Sequence, residues 1–151
     1  MKIIILGIGN LILGDDGIGI KVLRELKKKI KRSDIVFDEA MTGGMNLLDI
    51  IKGYDKAILI DAIYNPKTSI GDVKRFSIQD CPTAHSCNPH DVSLSEAIQL
   101  AEQLGEKKIP DEIIIIGIVL HKIPTEFSEA ISPKVKTAIP KAVQIILNEI
   151  Q

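Results

Sequence analysis

The chain has 151 residues, of which 45% are hydrophobic and 26% charged, and its net charge is -1. That length can bury a sizeable core and fits a single α/β domain over residues 1–151. The balanced charge leaves no footprint for nucleic acid, the apolar runs are far shorter than a membrane span, and two cysteines are too few for a disulfide framework. Met1-Lys2-Ile3 leads straight into an apolar run with no small-residue cleavage site after it, so no signal peptide is expected. The expectation is a soluble cytoplasmic protein with no membrane insertion; the sequence does not give the oligomeric state, and a monomer is favoured. Tryptophan is absent and only 3% of residues are aromatic, so the core should be aliphatic.

Ile3-Ile4-Ile5-Leu6, bounded by Gly7, predicts a buried strand. Gly7-Ile8-Gly9-Asn10 is turn chemistry. Asp15 and Asp16 follow, and then Ile18, Val22, Leu26 and Ile30, four apart, predict an amphipathic helix. A carboxylate pair therefore sits in a strand-to-helix loop, where α/β folds place their ligands. The stretch is not a dinucleotide fingerprint, because Ile12 stands where the third glycine belongs, and no Gly-Lys-Ser/Thr marks a phosphate loop. The plainest alternative is that Asp16 caps the helix. Lys27-Lys28-Lys29, with Lys31 and Arg32, reads as a solvated helix end that complements the dipole.

Asp34–Asp38 predicts a second strand, and Glu39–Gly44 a loop whose paired glycines suggest an unusual backbone. Met45, Leu47, Leu48 and Ile51 predict a short helix stopped by Gly53. Lys56–Ile63 is apolar almost throughout, as a buried parallel strand should be, with Asp61 near its end. Asn65-Pro66 breaks the chain, and Gly71–Ser77 reads as an edge strand. Residues 78–89 look irregular. Ser93 and Glu96 suggest a capping box for a helix that carries Leu94, Ala97, Ile98, Ala101 and Leu104 inward and ends at Gly105. Glu112–Leu120 predicts the last buried strand and His121–Ser132 a loop. The closing helix presents Val135, Ala138, Ile139, Ala142, Val143 and Ile146, with a kink or a helix start expected at Pro140. The order β-α-β-α-β-β-α-β-α implies an α/β fold: a three-layer α-β-α sandwich around a mostly parallel sheet of about five strands, one edge strand antiparallel.

Such a sheet gathers the carboxyl ends of its strands along one crevice. Asp15 and Asp16 follow the first strand, Glu39 follows the second, Asp61 ends the third and His90 precedes a helix. Asp61 is the most telling, since a carboxylate in an apolar strand is costly unless paired, hydrogen-bonded or metal-bound. Two carboxylates and an imidazole (Asp16, Asp61 and His90) suit a divalent transition metal. A competing set, Cys81, His85, Cys87 and His90, has zinc-ligand types but matches no usual finger spacing; free thiols are the default in a reducing compartment. No Gly-x-Ser-x-Gly or His-Glu-x-x-His motif is present.

The opening LGIGNLILGDDGIGIKVL closely resembles that of the hydrogenase maturation endopeptidases, which trim the large subunit of nickel–iron hydrogenases. The likeness continues through Thr42-Gly43-Gly44-Met45, Ile58-Leu59-Ile60-Asp61-Ala62, Asn88-Pro89-His90-Asp91, Gly117-Ile118 and Ile131-Ser132-Pro133-Lys134-Val135. It implies an endopeptidase that removes the C-terminal extension of a large-subunit precursor after nickel insertion. It also implies that Asp16, Asp61 and His90 form the catalytic, metal-contacting site. The nickel would be supplied by the substrate, with zinc or another divalent ion able to stand in for it in vitro. The metal would polarise the scissile carbonyl or activate water; alternatively Asp16 and Asp61 would act as an acid/base pair. Glu39, Thr42, Gly43 and Gly44 would shape the substrate groove. Members often carry an acidic or amide side chain and a proline soon after the last strand's glycine; here Gly117-Ile118-Val119-Leu120-His121-Lys122 intervenes before Pro124. The alternative from another class is a non-catalytic metal- or nucleotide-binding α/β module.

Overall fold

The computed structural model describes residues 1–41, 44–78, 94–122 and 124–151. Five strands form one sheet: β1 (Ile3–Ile8), β2 (Ile35–Ala40), β3 (Lys56–Tyr64), β4 (Val73–Ser77) and β5 (Glu112–Leu120). Their order is β2-β1-β3-β5-β4. Every pairing is parallel except that of β4, which runs antiparallel on the edge beside β5. The expected mixed sheet is therefore present, and its three central strands, β1, β3 and β5, are buried on both faces, which explains their apolar runs.

Side-chain alternation divides the core in two. Ile3, Ile5, Ile58, Ile60, Ile114, Ile116 and Ile118 meet helices α1 (Ile18–Lys29), α4 (Pro133–Lys136) and α5 (Ala138–Glu149) on one face. Ile4, Leu6, Ile8, Leu59, Ile113 and Ile115 meet α2 (Gly44–Ile51) and α3 (Leu94–Gln103) on the other. Both halves are aliphatic, as the composition requires.

Several boundaries differ from the sequence reading. β2 runs to Ala40 rather than Asp38, because β1 continues to Ile8 and the ladder pairs Gly7 with Glu39 and Ile8 with Ala40. Glu39 is therefore a strand residue. A 3-10 turn over Gly14–Gly17 precedes α1, and the residue capping α1 is Gly17, with no side-chain cap. Asp16 is not the helix cap. The closing helical stretch is two helices meeting at Thr137, and Pro140 falls in the first turn of α5, where its missing N–H costs nothing. The capping box at Ser93 and the cysteine- and histidine-containing loop lie outside the described residues.

At the amino edge of the sheet a charged group is buried and fully engaged. The Lys56 ammonium donates to the Glu149 carbonyl at 2.8 Å and lies 3.4 Å from the Glu149 carboxylate and 3.5 Å from Glu112. Arg75 also pairs with Glu149. The Arg75 guanidinium, with Lys56 behind it, holds the Glu149 carboxyl below its usual range. A depressed carboxylate contributes stability that is present above its unfolded pKa, about 4.3, and is lost as pH falls through the lower folded value. Glu149→Gln should therefore lower the melting temperature at pH 7 and flatten the acid-side loss of stability; an unchanged pH–stability curve would show that the network contributes nothing.

At the carboxyl edge, a glycine permits a close approach. A Cβ on Gly19 would stand 2.3 Å from the Ile60 carbonyl oxygen and 2.5 Å from that of Ile8. The first turn of α1 thus rests directly on the backbone of β1 and β3. Gly19→Ala should destabilise the protein by about 3 kcal/mol, the upper part of the range for overpacking a close-fitted contact, measured by denaturant unfolding. A loss below about 0.5 kcal/mol, the size of an ordinary surface substitution, would show that this contact yields easily.

Candidate active site at the carboxyl edge of the sheet

β1 leaves the sheet at Ile8, and the chain folds back over its own strand end. The Asn10 amide donates to Asp16 Oδ2 at 3.0 Å, and the Asn10 side-chain oxygen accepts from the Ile12 amide at 3.2 Å. A Cβ on Gly9 would fall 2.2 Å from the Asp16 carbonyl oxygen, so a side chain there would push the turn away. The loop is locally determined, and it holds the Asp16 carboxylate 6% exposed against the strand ends. The 3-10 turn also packs on β3.

Asp61 lies in β3 and is 1% exposed. Its Oδ1 accepts from the Ala62 amide at 2.8 Å. It stands opposite Gly117 of β5, whose missing side chain leaves space that Ile63 fills. Strand alternation puts Asp61 on the α2–α3 face. Two carboxylates far apart in sequence thus occupy the same edge of the sheet, both nearly closed to solvent.

The other expected site residues divide. Glu39 faces α1 and forms a two-pronged ion pair with Arg24, at 3.0 and 3.1 Å, on the surface. Gly44 opens α2. His90, Thr42, Gly43, Cys81, His85 and Cys87 lie outside the described residues. Among the described residues no three His, Cys, Asp or Glu side chains form a metal cluster.

Asp15, the neighbour of Asp16, has a different job. Its two oxygens accept from the Ser132 amide and hydroxyl, both at 2.6 Å. Two backbone bonds reinforce this tie: Gly14 N–H to the Ser128 carbonyl at 2.7 Å and Ser128 N–H to the Ile12 carbonyl at 2.8 Å. The loop after β5 is thereby clamped to the Asp16 loop. Between them opens a cleft of 780 Å³, bordered by Gly14, Asp15, Leu120, His121, Pro124 and Ser132 among others. The His121 ring donates through Nε2 to the Thr68 carbonyl at 2.6 Å.

Tyr64 ends β3 one residue beyond the boundary read from the sequence, and nothing in the local pattern marks it. Its ring lies on the α1 face of the strand. Burial, and after it the negative charge of Asp16, pushes the phenol pKa above the ordinary value near 10. The folded state therefore holds this proton more tightly than the unfolded chain; the contribution is present below the ordinary value and disappears as pH rises through the raised one. The chain has two tyrosines and no tryptophan, so in a Tyr54→Phe protein ultraviolet absorbance reports Tyr64 alone. Its ionisation should occur above that of a free phenol, and adding Asp16→Asn should lower it part of the way, because burial, the larger cause, is unchanged. A midpoint insensitive to Asp16 would separate the two groups.

Comparison with known proteins agrees with this architecture. A family model described as hydrogenase maturation protease matches residues 20–149. A putative hydrogenase maturation protease of Methanocaldococcus jannaschii is 30% identical, covering 99% of this chain and 96% of its own. The structure of the hydrogenase maturating endopeptidase HybD from Escherichia coli superposes with a TM-score of 0.77 at 25% identity, covering 99% of this chain and 92% of that one. The nickel–iron hydrogenase maturation protease HybD from Thermococcus kodakarensis gives 0.70 at 28% identity, with both chains covered completely. On a matched span from Ile20 in α1 to Glu149 at the end of α5, this chain belongs to the hydrogenase maturation protease family.

Proposed function

We propose that this protein is an endopeptidase that removes the C-terminal extension of a nickel–iron hydrogenase large-subunit precursor after nickel insertion. The observation that carries this reading is the pair of shielded carboxylates, Asp16 and Asp61, at the edge where α/β folds bind ligands. Family membership supplies the reaction class.

Asp16, Asp61 and His90 form the proposed reacting set, and they also form the proposed contacts to the metal. Carboxylate oxygens and an imidazole are donors that a divalent transition ion accepts. The nickel belongs to the substrate; zinc is a proposed stand-in in vitro. Held against the scissile bond, the ion supplies a positive centre that polarises the carbonyl. The protein's own part is to orient that bond and to move protons. A carboxylate takes a proton from the attacking water and returns it to the departing amide nitrogen. If the pair acts without help from the metal, one of Asp16 and Asp61 must stay protonated.

Glu39, Thr42, Gly43 and Gly44 are proposed to border the substrate groove on the β2 side, with Glu39 exchanging its Arg24 partner for the substrate. The cleft beside Asp15 gives the extension a second wall on the β5 side. No described helix is long and apolar enough to cross a membrane, which is in keeping with action on the precursor in the cytoplasm.

The test is cleavage of precursor with and without nickel, followed by mass spectrometry. The nickel-loaded precursor should lose its C-terminal peptide and the nickel-free form should stay intact. Equal cutting of both would assign the work to the carboxylates alone. Asp61→Asn, nearly isosteric, should reduce turnover at least a hundredfold, the ordinary scale for losing a positioned acid or base. Normal cleavage by both Asp61→Asn and His90→Ala would overturn the assignment.

A further inference from the structure

The Tyr64 hydroxyl is shielded from solvent and makes no hydrogen bond to any described residue. A hydroxyl buried in that way has given up its bonds to water without replacement. Such groups are uncommon in native folds and collect at working sites. The Thr68 hydroxyl, a few residues further along, is in the same condition. Tyr64 ends β3, three residues beyond Asp61, and Thr68 lies in the turn that follows.

Three carboxylates at this edge are candidate acceptors for Tyr64. Asp15 is tied through both oxygens to Ser132 at 2.6 Å. Asp61 projects from the opposite face of β3, since strand side chains alternate. Asp16 accepts from the Asn10 amide through Oδ2 and keeps further acceptor sites, as any carboxylate does; its turn packs on β3, and its charge acts on the phenol. We propose that Tyr64 is a positioning residue for the peptidase reaction, its hydroxyl donating to the Asp16 carboxylate when that carboxylate turns to engage the precursor. The bond fixes the angle at which Asp16 meets the substrate's metal or scissile bond. Carboxylates that hold metals are themselves held by outer hydrogen bonds. Such bonds are often long or misaligned until the substrate complex forms. The phenol keeps its proton throughout, so no group is transferred. This inference rests on the endopeptidase reading given above.

Tyr64→Phe tests it, with Tyr54→Phe and Asp16→Asn beside it. Melting is measured without precursor, and kcat and KM are measured on nickel-loaded precursor. Removing a hydroxyl that has no partner among the described residues should leave the melting temperature of Tyr64→Phe at or above that of the wild type. Its kcat should fall about tenfold or more, the scale on which outer hydrogen bonds act, with KM within twofold. Tyr54→Phe, at the opposite end of the sheet, should match wild type. Wild-type kcat in Tyr64→Phe, or a raised KM with kcat kept, would overturn the proposal. So would a melting temperature several degrees lower, which would assign the hydroxyl to the fold. Asp16→Asn separates the two levels: if it is inactive while Tyr64→Phe is fully active, only the role of Tyr64 falls. If Asp16→Asn cleaves normally, the site assignment falls with it.

Discussion

The molecule depends on one close backbone approach: the first turn of α1 lies on the carbonyl ends of β1 and β3, through the space that Gly19 leaves empty. A Cβ at that position would overlap the Ile8 and Ile60 oxygens, and the helix would have to rise off the sheet. The 3-10 turn is continuous with α1, so it would rise as well. Asp16 sits in that turn, and its carbonyl already fills the space a Gly9 side chain would need. Two glycines thus set how near a loop carboxylate comes to β3, the strand that carries Asp61. The placement is made by backbone contact, which is stiffer than a side-chain contact because the interior around it is close-packed.

The two edges of the sheet treat buried polarity in opposite ways. At the amino edge, Lys56 is buried only because Glu149, Glu112 and the Glu149 carbonyl surround it. That arrangement ties α5 to β3, β4 and β5, and its charges are matched. At the carboxyl edge the chain buries two carboxylates and leaves the Tyr64 and Thr68 hydroxyls without partners among the described residues. Polar burial that strengthens one end is balanced by polar burial that prepares the other to receive something. Fold stability does not favour the second arrangement, and its retention is best understood through use.

Sequence legibility follows the range of the interactions. β5 was readable residue for residue because a strand buried on both faces is a continuous apolar run, and its limits are set by charged or polar neighbours. Asp61 stood out for the same reason: one carboxylate in such a run must have an explanation. The sequence reading ends β2 at Asp38 because Glu39 opens a stretch that reads as a glycine-containing loop; only the partner strand β1 shows that the ladder continues. Asp16 resembled a helix cap because the intervening 3-10 turn leaves no mark in hydrophobic periodicity. The ion pair between Glu39 and Arg24 joins positions fifteen apart in sequence, and no local pattern predicts it. Tyr64 was missed because its significance lies in an unfilled hydrogen bond and in the charge of a residue on another element.

The distribution of rigidity bears on how such an enzyme would select its substrate. Asp16 and Asp61 are anchored to strand ends and to a turn seated on them, where displacement is costly. The facing wall is the loop after β5, held to the site by Asp15–Ser132 and by the backbone bonds of Ser128. A clamp at its base leaves the far part of that loop free to differ, and Phe127 there is 82% exposed. Chemistry held on a rigid edge and recognition held on a tethered loop can change independently. On the endopeptidase reading, the reaction would be common to the family, and the choice of precursor would reside in the part of that loop ahead of Ser128.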